Sequence, residues 1–354
     1  MNTAKTGRTN KANNTALIKS VKELSALFGT SGDEKQVREE IISRLPKTVK
    51  YTVDNLGNLI VEKKGKKKPK HKIMLDAHMD EVGFIVTHIN EDGSLCFAPV
   101  GGVIPAVVFG RQLVFKSGIY GAVAAKPLHL LSGDEKDSQP DLAALRIDIG
   151  AANREEAEKL VQIGDCAYFS SEQTDFGSGF MAGKALDDRV GCAIMLELIN
   201  KEIPYDCTFV FSVQEEIGTR GAAVSAYSVN PDLAVVLETT TACDISGVSG
   251  EKKVCRLGEG PVVSFMDRGT IYDRELFKLG FETAKEIGVK CQTKTVVAGG
   301  NDSGAIHKAA GGVRTMAVSV PCRYLHSPSC VIKESDLSDT LKLTEALIEK
   351  LGKL

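Results

Sequence analysis

From Gly183 to the C-terminus, stretches with helical spacing alternate with short apolar runs, and this alternation constrains the fold more than any other feature. DRVGCAIMLELIN, RELFKLGFETAKEIG and SDTLKLTEALIEKLG carry apolar residues three and four apart, whereas the cores of TFVFSVQ, LAVVLE and RTMAVSV have no polar face. A strand without a polar face is covered on both sides, and strands that take turns with helices pair in parallel. KIMLDAHMD, earlier in the chain, is another such run. The pattern predicts an α/β fold, a mostly parallel sheet with helices on both faces.

Between about Val82 and Tyr168 the pattern changes to short strands broken by glycine: VGFIVTHI, LCFAPVGG, QLVFKSGIYGAVAA and LRIDIGA. ANREEAEKLV is the one clear helical stretch among them. This predicts a compact β-rich domain over residues 82–177, inserted into an α/β domain made of 1–81 and 178–354. Upstream, ALIKSVKELSALF and the segment through Val37, Ile41 and Leu45 predict two helices, KYTVD and NLIVEK a hairpin, and the lysine run KKGKKKPKHK a solvated turn. The leader MNTAKTGRTNKANNT lacks the apolar segment of a secretory signal, and no run approaches a membrane span, so the expected location is the cytoplasm. Forty-four basic against forty-six acidic residues leave a net charge of -2, which gives no global attraction to nucleic acid or an anionic membrane. Nine scattered cysteines without a CxxC pair read as reduced, buried thiols.

Chemistry gathers where the apolar strands stop. KIMLDA runs into His78 and Asp80, TFVFSVQ into Glu215 and Glu216, LAVVL into Glu238, and TMAVSVPCRYL toward His326. In an open α/β sheet, sites form beyond the carboxyl ends of the strands, so these residues should converge on one edge. Asp187 and Asp188, in GKALDDRVG, stand at the start of a predicted helix, where carboxylates are favoured. Two histidines and several carboxylates suit Zn, Co or Mn without any thiolate, and the set is large enough for two ions. Neighbouring side chains on extended backbone point in opposite directions, so one of Glu215 and Glu216 can grip metal while the other serves as a base. Each element has a plainer explanation by itself, a structural His–Asp pair or a helix cap. Their joint placement favours a shared metal site.

Taken together, LDAHMDEVGFIV, GKALDDRVG, VQEEIGTRGA, GNDSGAIH and RYLHSPS resemble the cytoplasmic tetrahedral aminopeptidases, a family also labelled glutamyl aminopeptidase or cellulase M. The resemblance runs from about Ser31 to the C-terminus. It implies that His78, Asp187 and Glu238 hold one divalent ion and that Asp187, Glu216 and His326 hold a second, with Asp187 as the bridge. It further implies that Asp80 orients His78 and that Glu215 is the general base, which takes a proton from the attacking water and returns it to the leaving amine. Asp188 would shape the turn around Asp187. Glu238 stands where many relatives carry Asp, a longer arm that bears on which ion is preferred. The resemblance also implies that the inserted β-barrel-like domain makes dimer contacts, that dimers assemble into a hollow tetrahedral dodecamer, and that short peptides are the substrates.

Other chemistries compete less well. A related metal-dependent deacylase or carboxypeptidase would use the same centre, with Arg220 or Arg323 to meet a substrate carboxylate. A glycosidase needs two separated carboxylates and no metal, and the absence of Trp leaves little to stack on sugars. A non-catalytic peptide-binding assembly would have no use for Glu215. Neither GxSxG, a P-loop nor GxGxxG occurs, and Ser303 with His307 in GGNDSGAIH reads as a glycine-rich loop and the helix after it.

Overall fold

A computed structural model describes residues 3–130, 132–133 and 141–354. Helices α1 (Thr3–Ala26) and α2 (Lys35–Arg44) open the chain. The polar leader is thus helical from Thr3, while Met1 and Asn2 lie outside the described residues. The antiparallel hairpin of β1 (Lys50–Val53) and β2 (Leu59–Lys63) follows. Its turn is set by Asp54, whose Oδ1 accepts the amides of Leu56, Gly57 and Asn58, with Gly57 at φ 110° where a side chain would be strained. Strand β3 (Ile73–His78) is buried along its whole length.

The next six strands are β4 (Gly83–Ile89), β5 (Leu95–Val100), β6 (Gln112–Phe115), β7 (Tyr120–Ala124), β8 (Arg146–Asp148) and β9 (Cys166–Phe169). They close into a barrel in the order β4-β5-β8-β7-β6-β9, which leaves no free edge. Phe84, Val86, Leu95, Leu113, Val123 and Ile147 fill its interior, a core separate from that of the main sheet. The predicted helix beside them is one short piece, α3 (Arg154–Glu158), capped by the Asn153 side chain.

After the barrel come β10 (Thr174–Phe176), β11 (Phe180–Gly183), α4 (Leu186–Asn200), β12 (Cys207–Ser212), α5 (Arg220–Val229), β13 (Leu233–Thr241) and β14 (Val262–Val263). The chain ends with α6 (Arg274–Glu286), α7 (Ser303–Ile306), β15 (Arg314–Cys322), β16 (Cys330–Lys333) and α8 (Glu334–Leu351). The main sheet runs β1-β2-β12-β3-β13-β15-β14. Parallel pairing is confined to β12, β3, β13 and β15, and antiparallel pairs flank them at both sides, so the sheet is mixed with a parallel centre.

The parallel strands are buried on both faces, and period-two alternation divides their side chains. Ile73, Leu75 and Ala77 join Phe209, Phe211, Leu233 and Val235 in the main core with α1, α4 and α8. Met74, Val210, Ala234 and Val236 face the other way, onto Ala222 and Ala226 of α5 and Ile306 of α7. Each large apolar side chain so enclosed contributes about 1.5–3 kcal/mol. Because the four central strands run the same way, their carboxyl ends lie along one edge, and the barrel is inserted directly after β3.

Candidate metal centre

His78 is the last residue of β3 and is 2% exposed. Its Nδ1 lies 3.0 Å from the backbone oxygen of Asp80. A proton held there leaves the Nε2 lone pair free. That nitrogen is 3.5 Å from Asp187 Oδ1 and 3.5 Å from Glu238 Oε1. His326, in the loop after β15, is arranged the same way. Its Nδ1 is 2.7 Å from the carbonyl of Gly102 on the barrel side, and its Nε2 faces Asp187 Oδ2 at 3.4 Å and Glu216 Oε2 at 3.3 Å. Asp187 therefore stands between the two rings, one oxygen toward each. Asp187 and Asp188 have non-helical backbone angles at the head of α4, which frees them from the direction of the helix.

The donor set fits divalent cations. Among the described residues, Asp187 Oδ1, Asp188 Oδ2 and Glu216 Oε1 are buried oxygens with no hydrogen-bond partner. Buried polar groups are normally satisfied, so several orphaned carboxylate oxygens in one place need a positive charge. Ligand atoms of His78, Asp187 and Glu216 lie within 4.8 Å of one another, as do those of His78, Asp188 and Glu238. The sequence reading gave Asp188 a turn-shaping part. It does accept the Gly191 amide at 3.0 Å, but its other oxygen reaches the cluster.

The electrostatics express the same crowding. Burial, then the charge of Asp187, raises the Glu238 carboxyl well above its ordinary value. Burial pushes Glu216 up to about 8. Burial also opposes the charge on His326, but Asp187 and Glu216 outweigh it and raise the ring to about 10. At Asp187 the penalty of burial is overcome by contacts with His326 and His78, which hold its carboxyl well below the usual range. Protons held this tightly mark positions where cations can take their place.

Glu215 and Glu216 lie beyond the end of β12 in a turn, so their divergence comes from the turn and not from strand alternation. Asp80 builds that turn. Its Oδ1 accepts the Glu215 amide at 3.0 Å, and its Oδ2 accepts the Glu216 amide at 3.1 Å and the Ser31 hydroxyl at 2.6 Å. The expected orientation of His78 by the Asp80 carboxylate is thus shared differently. The backbone oxygen takes the 3.0 Å contact, and the carboxylate stands at 3.4 Å. Asp80 does not line the cavity, and its contacts are with the neighbours of the residues that do. Glu215 does line it, and burial raises its carboxyl well above the ordinary value.

The cavity holds about 350 Å³. His78, Asp187, Glu215, Glu216, Glu238 and His326 line it together with Thr239, Thr240, Lys294, Gly299 and Gly300. Sequence reasoning missed two features. Lys294 carried no motif. Asp76 and Asp302 form a buried acid pair joined by the Ser212 hydroxyl, which donates to Asp302 at 2.7 Å and to Asp76 at 3.3 Å. Asp76 sits two positions before His78, on the same side of β3, and that spacing was a usable signal. Ser303 and His307 do not pair as nucleophile and base, since His307 Nδ1 lies 2.7 Å from the Ser303 backbone oxygen, as helical neighbours would.

The profile of the M42 glutamyl aminopeptidase family matches residues 57–343. The lysyl aminopeptidase of Pyrococcus furiosus is 33% identical over 91% of this chain and 94% of its own length. The glutamyl aminopeptidase of Lactococcus lactis subsp. cremoris is 34% identical over 95% of this chain and 97% of its own. Among solved structures, the TET1 peptidase of Pyrococcus horikoshii, described as able to assemble into a tetrahedron or a large octahedral shell, superposes with a TM-score of 0.83. It shares 34% identity over 94% of this chain and 99% of that one.

Proposed function

The chain belongs to the M42 glutamyl aminopeptidase family and is a metallo-aminopeptidase; from that premise we propose that it trims short peptides at a centre of two divalent ions. His78, Asp187 and Glu238 would hold one ion and Asp187, Glu216 and His326 the other. One observation carries this reading: the two histidine Nε2 atoms face different oxygens of the same carboxylate, Asp187, at 3.5 and 3.4 Å. A carboxylate so placed could serve an ion beside each ring. Asp188, with one oxygen near His78 and Glu238, is a reserve ligand for the first ion. Zn and Co suit the nitrogen and oxygen donors best, and the oxygen-rich set also admits Mn.

Two divalent ions held there would supply Lewis-acid chemistry, lowering the pKa of a water and polarising the scissile carbonyl. The chain's own residues do the rest. Glu215, in the cavity and outside the ligand contacts, takes the proton of the attacking water and delivers it to the leaving amine. Burial raises its affinity for a proton, as a group that takes one from water requires. Asp80 holds Glu215 and Glu216 at their stations through the two amide contacts. The carboxylates around the centre receive the substrate's free α-ammonium, which makes the enzyme an exopeptidase.

We assign residues 1–81 and 178–354 to the catalytic domain and 82–177 to an inserted dimerisation domain. The barrel carries its own core and exposes Phe109, Tyr120 and Ile163, apolar side chains of the kind that self-association covers. The relative that assembles into a tetrahedron or a large octahedral shell supports self-association, and our reading of that assembly is dimers built into a tetrahedral dodecamer with the sites facing inward. Nine free cysteines suit the cytoplasm. The relatives' names, lysyl and glutamyl, differ in the charge of the residue removed, so the family leaves the preference of this chain open.

The test is a panel of aminoacyl reporter substrates with Zn, Co or Mn returned to metal-free protein. Cleavage of at least one unblocked substrate and of no N-acetylated counterpart is expected. Equal cleavage of blocked and free substrates would overturn the exopeptidase reading in favour of a deacylase.

A further inference from the structure

Residues 30–34 form a turn between α1 and α2, closed by the Asp33 amide on the Thr30 carbonyl at 2.8 Å. This turn touches both the barrel and the segment that carries Glu215 and Glu216. In that segment, three successive amides are taken by carboxylates from far earlier in the chain. Glu34 Oε1 accepts the Gln214 amide at 3.2 Å, and the two oxygens of Asp80 accept the amides of Glu215 and Glu216 at 3.0 and 3.1 Å. Gln214 needs such support, because its φ of 57° lies in the left-handed region, where a side chain is strained and the surroundings have to hold it. The 30–34 turn fixes both carboxylates. The Ser31 hydroxyl donates to Asp80 Oδ2 at 2.6 Å, and the Gly32 amide donates to Glu34 Oε1 at 2.7 Å. Asp80 and Glu34 are buried, so water does not compete for these bonds. Asp33, between Ser31 and Glu34, faces the barrel. Its Oδ1 pairs at 2.5 Å with Lys116, in the turn between β6 and β7, and its Oδ2 accepts the Tyr168 hydroxyl of β9 at 2.6 Å.

We propose that Ser31 and Glu34 are positioning residues for the Glu215–Glu216 turn and that Asp33 ties them to the barrel, so that the barrel's grip on Asp33 sets how well Glu215 is placed to move its proton. The inference rests on the aminopeptidase reading above and adds a mechanical link between the inserted domain and the base. The link is short, since Asp33 is two residues from Ser31 and next to Glu34. Proton transfer tolerates little misplacement, and an error of about 1 Å can cost about 10²-fold in rate. The barrel has a core of its own, so its seat against the sheet depends on contacts such as those of Asp33.

The experiment compares the native enzyme with Ser31→Ala, Ser31→Thr, Glu34→Ala, Glu34→Gln and Tyr168→Phe. Each metal-loaded protein is assayed on an unblocked aminoacyl reporter substrate, and amide hydrogen exchange at residues 214–216 is followed in the metal-free proteins. Ser31→Ala and Glu34→Ala should lower kcat by about 10- to 10²-fold with KM little changed, and their 214–216 amides should exchange faster. Ser31→Thr keeps a donating hydroxyl and Glu34→Gln an accepting oxygen, so both should recover most of the loss. Tyr168→Phe should lower kcat in the same direction with the assembly unchanged in sedimentation. Combined with Ser31→Ala it should slow the enzyme no further, because both act through one turn. If kcat and the 214–216 exchange of both alanine variants match the native protein while Tm falls, the turn is structural only and the proposal is refuted. An unchanged kcat in Tyr168→Phe, or effects that simply add, would overturn the link to the barrel. If the native enzyme cleaves no unblocked substrate, the aminopeptidase reading fails, and the exchange data alone then decide whether Ser31 and Glu34 hold the Glu215–Glu216 turn.

Discussion

Glu215 and Glu216 are neighbours to which we assign different tasks, and the difference lies in what each carboxylate meets. Glu216 has His326 at 3.3 Å, whereas Glu215 enters the cavity with no histidine contact. Replacing Glu215 by Gln should lower kcat by about 10²–10⁴-fold, the range of general acid–base catalysis, while elemental analysis finds the metal content unchanged. Asp187→Asn should behave oppositely. It weakens the one carboxylate both histidines share, so both ions should be lost together in the same assay. The metal-free protein gives a third expectation. Glu216, pushed up to about 8, and His326, pushed up to about 10, both hold a proton more tightly folded than unfolded. Their stabilisation is complete below the ordinary values and fades as pH rises through 8 and 10. Asp187, held low, responds only in acid. Scanning calorimetry of metal-free protein should therefore record a Tm that falls between pH 6.5 and 10, and the metal-loaded protein, with cations in place of those protons, should hold its Tm better.

Three elements meet behind the centre: the end of α1, the exit of β3 and the head of α4. They are joined by Glu81, which binds Lys184 at 2.8 Å and Arg189 at 3.2 Å, while both cations also reach carbonyls at the end of α1. All three charges are almost fully buried. Glu81→Gln leaves Lys184 and Arg189 without a counter-ion, and the loss of one member of a buried ionic cluster costs about 3–5 kcal/mol. A lowered urea midpoint would register it. The barrel reaches the centre through another element, the loop after β5. Gly102 supplies the carbonyl opposite His326, and Gly101 has φ 89° with a hypothetical Cβ 2.8 Å from Val82 and 3.2 Å from Glu216. On the proposed two-ion reading, Gly101→Ala should shift this loop and weaken the ion assigned to Glu216 and His326 more than the other, which stepwise metal titration can resolve.

At the scale of the molecule, the parallel centre of the sheet gathers the ligands on one edge and the barrel adds a wall to the same cavity. If the barrel mediates assembly, sedimentation should find native particles of twelve subunits, and charged replacements at Phe109 and Ile163 should reduce them to smaller species. The parallel strands were legible in the sequence because burial on both faces leaves no polar alternation, and the barrel because glycine interrupts its strands. The chemical types of the site were legible too, since His78 ends an apolar strand, Glu238 follows the apolar part of β13 while still inside it, and Glu215, Glu216 and His326 lie in loops after apolar strands whose direction is dictated by helical crossovers. Other matters were settled only in three dimensions: which oxygen of Asp187 meets which ring, and that Asp80 serves the Glu215–Glu216 turn. Local pattern reports periodicity and burial, which extend over a few residues. Contacts at about 3 Å between groups far apart in the chain, such as His326 and Gly102, depend on turn geometry and on how the two cores pack, and neither is written in any one segment.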